Sequence, residues 1–320
     1  MKFGINTGAR GIMGNREAYI TVAQLAERVG YDFISVSDHV VVPSQIGSTY
    51  PYSEGGKWET ATPDGYSLEQ LTTLAFLAGC TEKLNLVTSV TVVPHRPALL
   101  TAKILATADQ LSNGRIILGV GAGWLREEFD ALQTDPYDAR GKVTDEYIMA
   151  FKELWSNDAP SFNGEWVQFD NILFAPKPAN GHDIPVWVGG ESNPALRRTA
   201  KLGDAWYPAS RNPKHRLDTP ERLAGGIAKM RAMAEKLGRD PATVDVAYVI
   251  LSPLEWSAAP GQDASRRIMT GTAEQIAEDV RAFKALGLTH FNVSFPASSL
   301  AEMTDAIEKF STDVIPLVHS

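Results

Sequence analysis

Apolar residues along this chain follow two alternating rhythms. Short runs rich in β-branched and aromatic residues give way to longer stretches in which apolar side chains recur every three to four positions, the respective patterns of buried strands and amphipathic helices. The strand-like runs fall near residues 2–6, 32–37, 84–90, 115–121, 185–189, 205–207, 244–250 and 289–294, and helical sequence follows each. Helix punctuation is specific. Ser67 with Gln70 and Thr272 with Gln275 read as capping boxes, Pro194 and Pro220 sit at first helical positions, and Gly30, Gly79, Gly238 and Gly287 close helices. Strand and helix in regular alternation build a parallel sheet with crossover helices. Eight such units with no break in composition predict one α/β domain over residues 1–320, a closed (β/α)8 TIM barrel, in preference to an open doubly wound sheet. Two insertions interrupt the repeat. Residues 40–65 are rich in Ser, Pro, Gly and Tyr, and residues 156–182 contain Phe162 to Phe169, which reads as a small hairpin on an Asn163-Gly164 turn. Loops of that length serve as lids or substrate walls, and 251–267 is a third candidate.

Totals narrow the partners. The 320 residues are 44% hydrophobic and 21% charged, which suits a folded globular chain, and a net charge of -8 gives no basic footprint for nucleic acid or anionic lipid. A small-molecule partner is favoured. The single cysteine, Cys80, excludes an intrachain disulfide and suits a reducing compartment, and no run approaches the roughly 20 apolar residues needed to span a bilayer, so a cytoplasmic protein is expected.

Barrel enzymes carry their chemistry at the C-terminal ends of the strands. That rule selects Asn6, Asp38, His39, residues 89–93, Gly121 to Trp124, Gly189, Gly190 and Ser294. His39 can exchange a proton near neutral pH, with Asp38 beside it to orient the ring or cap a turn; the alternative is a structural histidine at a loop start. A metal site is not expected. Asn6 and Thr7 stand where a His-x-His pair would end the first strand, and His95, His182, His215, His290 and His319 are scattered. The series Gly119-x-Gly121-x-Gly123-Trp124 lacks the spacing of a dinucleotide fingerprint. It reads either as a flat platform for a planar cofactor or as a tight turn plugged by Trp124. Gly189 and Gly190 precede a helix capped by Ser192 or Asn193 and opened by Pro194, an arrangement that binds phosphate at the free backbone N–H groups. Arg197 and Arg198 in its first turn either offset a bound anion or reach solvent.

These residues together resemble the luciferase-like monooxygenases, the bacterial-luciferase superfamily of flavin- and deazaflavin-dependent barrel enzymes. The resemblance runs through Gly30-Tyr31-Asp32 to Ser37-Asp38-His39, Ser112-x-Gly114-Arg115, Gly119 to Trp124 with Glu127-Glu128-Phe129, and Arg140-Gly141 with Glu146 and Leu154-Trp155. It continues through Phe162 to Phe169, Pro176-Lys177-Pro178, Val186 to Gly190 and Gly203-Asp204-Ala205-Trp206. It implies a barrel that holds coenzyme F-420 (a deazaflavin) or reduced FMN over the third and fourth strands. Ser37-Asp38-His39 and Thr88-Ser89-Val90-Thr91 are most similar to the deazaflavin-dependent branch, whose third-strand bulge backs the ring with a non-proline cis peptide, here Ser89-Val90.

The resemblance therefore implies an oxidoreductase that transfers hydride between reduced F-420 and a small organic substrate, with His39 as proton donor or acceptor and Asp38 beside it. Asn6, Ser89, Val90, Thr91, Gly121, Gly123, Trp124, Gly189, Gly190, Asn193 and Arg197 would bind the cofactor. Tyr50, Tyr52, Trp58 and Tyr66 would wall the substrate space. The alternatives are an FMN-dependent monooxygenase that uses oxygen and a non-catalytic flavin-binding protein, with a barrel hydrolase more distant. A homodimer is implied by the resemblance alone.

Overall fold

A computed structural model of the chain describes residues 1–59, 61–181, 183–259, 261 and 266–319. His182 and part of the 251–267 stretch lie outside the described residues.

Eight parallel strands close on themselves. They are β1 (Lys2–Thr7), β2 (Phe33–Val36), β3 (Asn85–Thr88, continued by Thr91–Val92), β4 (Ile116–Gly121), β5 (Val186–Gly189), β6 (Ala205–Tyr207), β7 (Asp245–Ile250) and β8 (His290–Ser294). Each pairs with its successor, and β8 returns to β1 with Phe3 opposite Phe291. The outer layer comprises α1 (Arg16–Arg28), α2 (Gln70–Cys80), α3 (Ala98–Ser112), α4 (Arg126–Leu132), α5 (Arg140–Ser156), α6 (Asn193–Leu202), α7 (Pro220–Lys236), α8 (Ala273–Lys284) and α9 (Leu300–Lys309). No helix among the described residues is long and apolar enough to cross a membrane.

Two apolar layers hold the barrel. The larger lies between strands and helices; the smaller fills the interior with Phe33, Val87, Ile117, Trp187, Tyr207 and Val249. Close packing there requires Gly4, because a Cβ at that position would stand 2.1 Å from the Phe33 ring. Toward the strand C-termini the interior turns polar. Asn6 donates to Ser294 Oγ at 3.0 Å and accepts from Ser35 Oγ at 3.1 Å, while Asn292 donates to Ser35 Oγ and to the Tyr207 hydroxyl. This network, in which the Asn292 amide oxygen alone among those side chains is buried without a partner among the described residues, forms a floor beneath the strand ends.

Local differences from the sequence expectations have physical causes. Thr272 and Gln275 form the expected capping box, but Ser67 and Gln70 do not. Gln70 is buried, donating to Val36 O and accepting from Thr91 Oγ1, so the carboxylate of Glu69 caps α2 instead. Gly79 does not close α2, which runs on to Cys80. Its close is made by Arg115, whose buried guanidinium donates to Ala78 O and Thr81 O. The 162–169 hairpin exists, but Asn163 pairs with Gln168 inside it, so the loop is the four-residue Gly164 to Val167. Glu146 organises that loop by accepting the N–H groups of Glu165, Trp166 and Val167.

Candidate active site

A cleft of about 1220 Å³ opens over the C-terminal ends of the strands. It exceeds the range of roughly 300–1,000 Å³ that suits one small ligand, so a cofactor and a substrate can share it. Its floor comes from the third and fourth strands. The peptide Ser89-Val90 is cis, as expected, and both residues line the cleft. The neighbouring glycines make room for this bulge: a Cβ on Gly121 would sit 2.6 Å from Val90 Cγ2, and one on Gly119 would sit 1.9 Å from Thr88 O. Gly123 has a φ of 85°, in the left-handed region, and a Cβ there would meet Phe129 and Val92 at 2.7 Å. The three glycines thus do different work, two yielding to the bulge and one turning the chain into α4. Val90, Gly121 and Gly189 together line this side of the cleft, where the glycines add no side chain. Ser89 Oγ and the Tyr207 hydroxyl meet at 3.1 Å and tie the bulge to the polar floor.

His39 lines this cleft, and the carboxylate beside it is not Asp38. Its Nδ1 lies 2.8 Å from Glu128 Oε2, while Glu128 Oε1 accepts the N–H groups of Val40 and Val41 at 2.7 and 3.2 Å. Glu128 is fully buried and is delivered by the first turn of α4. A buried carboxylate with three donors holds the ring in one plane and favours the proton on Nδ1. That leaves Nε2 with no protein partner among the described residues. On the far side of the carboxylate stands His95, its Nδ1 3.8 Å from Glu128 Oε1 and neither ring nitrogen hydrogen-bonded among the described residues. Burial pushes the His95 imidazole below its ordinary value and so favours the neutral ring.

Asp38 turns the other way. Its oxygens accept two bonds from Arg96, at 2.9 and 2.7 Å, and one from Val92 N at 2.9 Å. Burial pushes this carboxyl up, but the Arg96 guanidinium more than offsets that and holds it below the usual carboxylate range. The expectation that Asp38 orients His39 is therefore corrected: it anchors the start of the loop at residue 40 to the second half of β3. Arg96 also donates to Glu69, joining this corner to α2.

The 40–65 insertion forms one wall. Glu127 accepts from Gly47 N, Ser48 N and Ser48 Oγ, and Tyr52 is hydrogen-bonded to Glu191. Trp58 lies 4.2 Å from the His39 ring and 5.6 Å from Trp124, and Tyr50 lies 5.1 Å from Trp124. Tyr66 is outside this wall, 47% exposed and beyond the cleft lining.

Of the remaining expected residues, Gly121, Gly123, Trp124, Gly189 and Gly190 line the cleft. Asn6 lies one layer lower in the polar floor, and Thr91 is buried against Gln70, so neither lines it. Ser192 caps α6; Asn193 and Arg197 are exposed and outside the lining, whereas Arg198 is inside it, bonded to Asp145 and to Gly141 O. Glu191, which also lines the cleft, accepts from Ala209 N and Asn212, and burial raises its carboxyl above the ordinary value.

Comparison with known proteins agrees with this geometry. The family model for luciferase-like monooxygenase matches residues 1–254. An FMNH(2)-dependent dimethylsulfone monooxygenase of Pseudomonas putida is 28% identical, covering 93% of this chain and 86% of that protein. An uncharacterized protein of Mycobacterium tuberculosis is 31% identical over 69% of this chain and 73% of its own length. Among solved structures, an F420-dependent secondary alcohol dehydrogenase in complex with an F420-acetone adduct superposes with a TM-score of 0.74 at 20% identity, covering 100% of this chain and 99% of the other. With a closed barrel, a cis bulge at the strand ends and a family match across most of its length, the chain belongs to the luciferase-like monooxygenase family of oxidoreductases.

Proposed function

We propose that this protein transfers hydride between a reduced deazaflavin of the coenzyme F-420 type and a small organic substrate. The observation that carries the reading is the His39–Glu128 pair beside the bulge, a proton-exchanging ring held by a buried carboxylate next to Val90 and Gly121. When bound, the reduced cofactor supplies the hydride. The protein's part is to hold the reactants and handle the proton. Val90 and the Gly121 and Gly189 backbone would hold the cofactor ring. Gly190, the capped start of α6 and Lys214, which forms no ion pair among the described residues, offer the phosphate end its donors. His39 Nε2 gives a proton to the substrate oxygen as hydride arrives, or takes one in the reverse direction, and Glu128 stabilises the imidazolium. Trp58, Trp124 and Tyr50 exclude water from that space.

A second reading, an FMN-dependent monooxygenase, is supported by the relative named for that cofactor, which aligns over 93% of the chain. In that reaction reduced FMN activates oxygen, and the same closed aromatic wall keeps water out. Titration of the apoprotein with F-420 and FMN, each oxidised and reduced, followed by tryptophan fluorescence, separates them. Tighter F-420 binding is expected; tighter FMN binding selects the monooxygenase, and binding of neither overturns both.

A further inference from the structure

The charged groups around the cleft are nearly all committed to protein partners. Arg126 pairs with Asp138, Arg140 donates to Gly123 O and Tyr137 O, and Arg198 is held by Asp145 and Gly141 O. Glu127 is taken by Gly47 and Ser48, Asp38 by Arg96, and Glu128 by His39, Val40 and Val41. Arg10 is different. It lies just past the C-terminal end of β1 and lines the cleft, its guanidinium carbon 4.4 Å from the centre of the Trp58 ring. Among the described residues its side chain makes no hydrogen bond and no ion pair, and its Nη1 is buried without a partner. A guanidinium presents five donors in a fixed planar fork and matches a carboxylate or sulfonate through two parallel bonds. The aromatic face of Trp58 offsets part of its desolvation but occupies none of those donors. Burial already pushes Arg10 below its ordinary value, as expected for a cation whose lost hydration is incompletely replaced.

We propose that Arg10 anchors an oxyanion head group, carboxylate or sulfonate, of the substrate, with Trp58, Tyr50 and Trp124 enclosing its apolar part. This rests on the cleft being the active site described above. Glu128 attracts this cation only from beyond hydrogen-bond reach; a neutral acceptor satisfies the N–H groups, whereas a monoanion satisfies them and adds a counter-charge in contact. His39 and Arg10 both contact Trp58, so the oxyanion anchor and the proton-exchanging ring belong to the same end of the cleft.

The test uses the full chain saturated with whichever of F-420 or FMN it binds, and calorimetric titration with butanesulfonate, butanoate and 1-butanol. Wild type is expected to bind the two anions roughly 10- to 100-fold more tightly than the alcohol, the range of one charge-assisted contact. Arg10→Met should abolish that preference while leaving butanol affinity and the thermal midpoint unchanged, and Arg10→Lys should retain part of it. The relative strength of the two anions identifies the head group. An anion preference that survives in Arg10→Met overturns the assignment. So does an equal loss for all three probes, which makes Arg10 only a support for Trp58, or a loss confined to the reduced cofactor. If the chain binds neither cofactor, the functional reading fails, while the same titration on the chain alone still decides whether Arg10 holds an oxyanion.

Discussion

Glu128→Gln isolates what the buried carboxylate does for His39. The substitution keeps the volume of the side chain and one acceptor oxygen. That oxygen stays on Val40 N and Val41 N, at the positions Oε1 holds at 2.7 and 3.2 Å, because the flipped amide would set NH2 against two N–H groups. The amide nitrogen then occupies the place of Oε2, 2.8 Å from His39 Nδ1. Two donors cannot share that contact, so Nδ1 becomes the acceptor and the proton moves to Nε2. The neutral ring then carries its proton on Nε2, and the imidazolium that gives up the proton in the reductive direction loses its compensating charge. A hydrogen bond to a charged group contributes about 1.5–3 kcal/mol, so the proton-coupled step should slow roughly 10- to 100-fold. The fold should survive, because both backbone donors remain satisfied. Single-turnover reoxidation of bound reduced cofactor by saturating acceptor reads the rate, and ¹⁵N ring shifts of His39 read the tautomer. A variant that keeps the wild-type rate and the Nδ1–H tautomer would refute the reasoning. A slowed variant with weakened cofactor binding would instead locate the effect in the loop at residues 40 and 41.

Two further outcomes test the scaffold. Gly119→Ala places a Cβ 1.9 Å from Thr88 O, a backbone atom that cannot rotate away, and should lower the urea midpoint by the equivalent of about 1–3 kcal/mol or more; a wild-type midpoint would show that the β3–β4 contact yields freely. His290, packed 4.6 Å from Trp187, is held neutral by burial with its value lowered from 6.5 to about 4. Its contribution is therefore complete above pH 6.5 and is lost as pH falls from there toward 4, where the unfolded chain takes up the proton first, an upper bound of roughly 3 kcal/mol. Denaturant titrations of His290→Phe across that window should show a shallower pH dependence by about one proton, and an unchanged slope would assign the acid sensitivity elsewhere.

The barrel was legible because its strands are largely buried on both faces and so read as short, mostly apolar, β-branched runs between helical stretches. What escaped was decided by contacts between distant segments. Gln70 has the spacing of a capping box, but a buried gap beside Val36 O and Thr91 Oγ1 claims its amide, and nothing local to residues 67–70 announces that competition. Asn163-Gly164 carries the signature of a two-residue turn, yet the Glu146 carboxylate stabilises a four-residue loop by taking three of its N–H groups.

In the site, the barrel rule selected His39, Ser89, Val90, Gly121, Gly189 and Gly190, which line the cleft, and also Asn6, Thr91 and Ser294, which lie outside its lining. It could not say which way an adjacent side chain turns. Asp38 follows β2 next to His39 in the chain, but successive side chains on an extended segment point apart, so Asp38 meets Arg96 while the ring of His39 meets a carboxylate 89 positions away. Helical periodicity does carry a signal that distinguishes Arg197 from Arg198. Ala195, Leu196 and Thr199 define the inward face of α6, and Arg198 lies within it whereas Arg197 does not. Arg10 left no such trace. It sits in a short segment between β1 and α1, and its significance comes from having no hydrogen-bond or ion-pair partner among the described residues, which only the assembled cleft reveals.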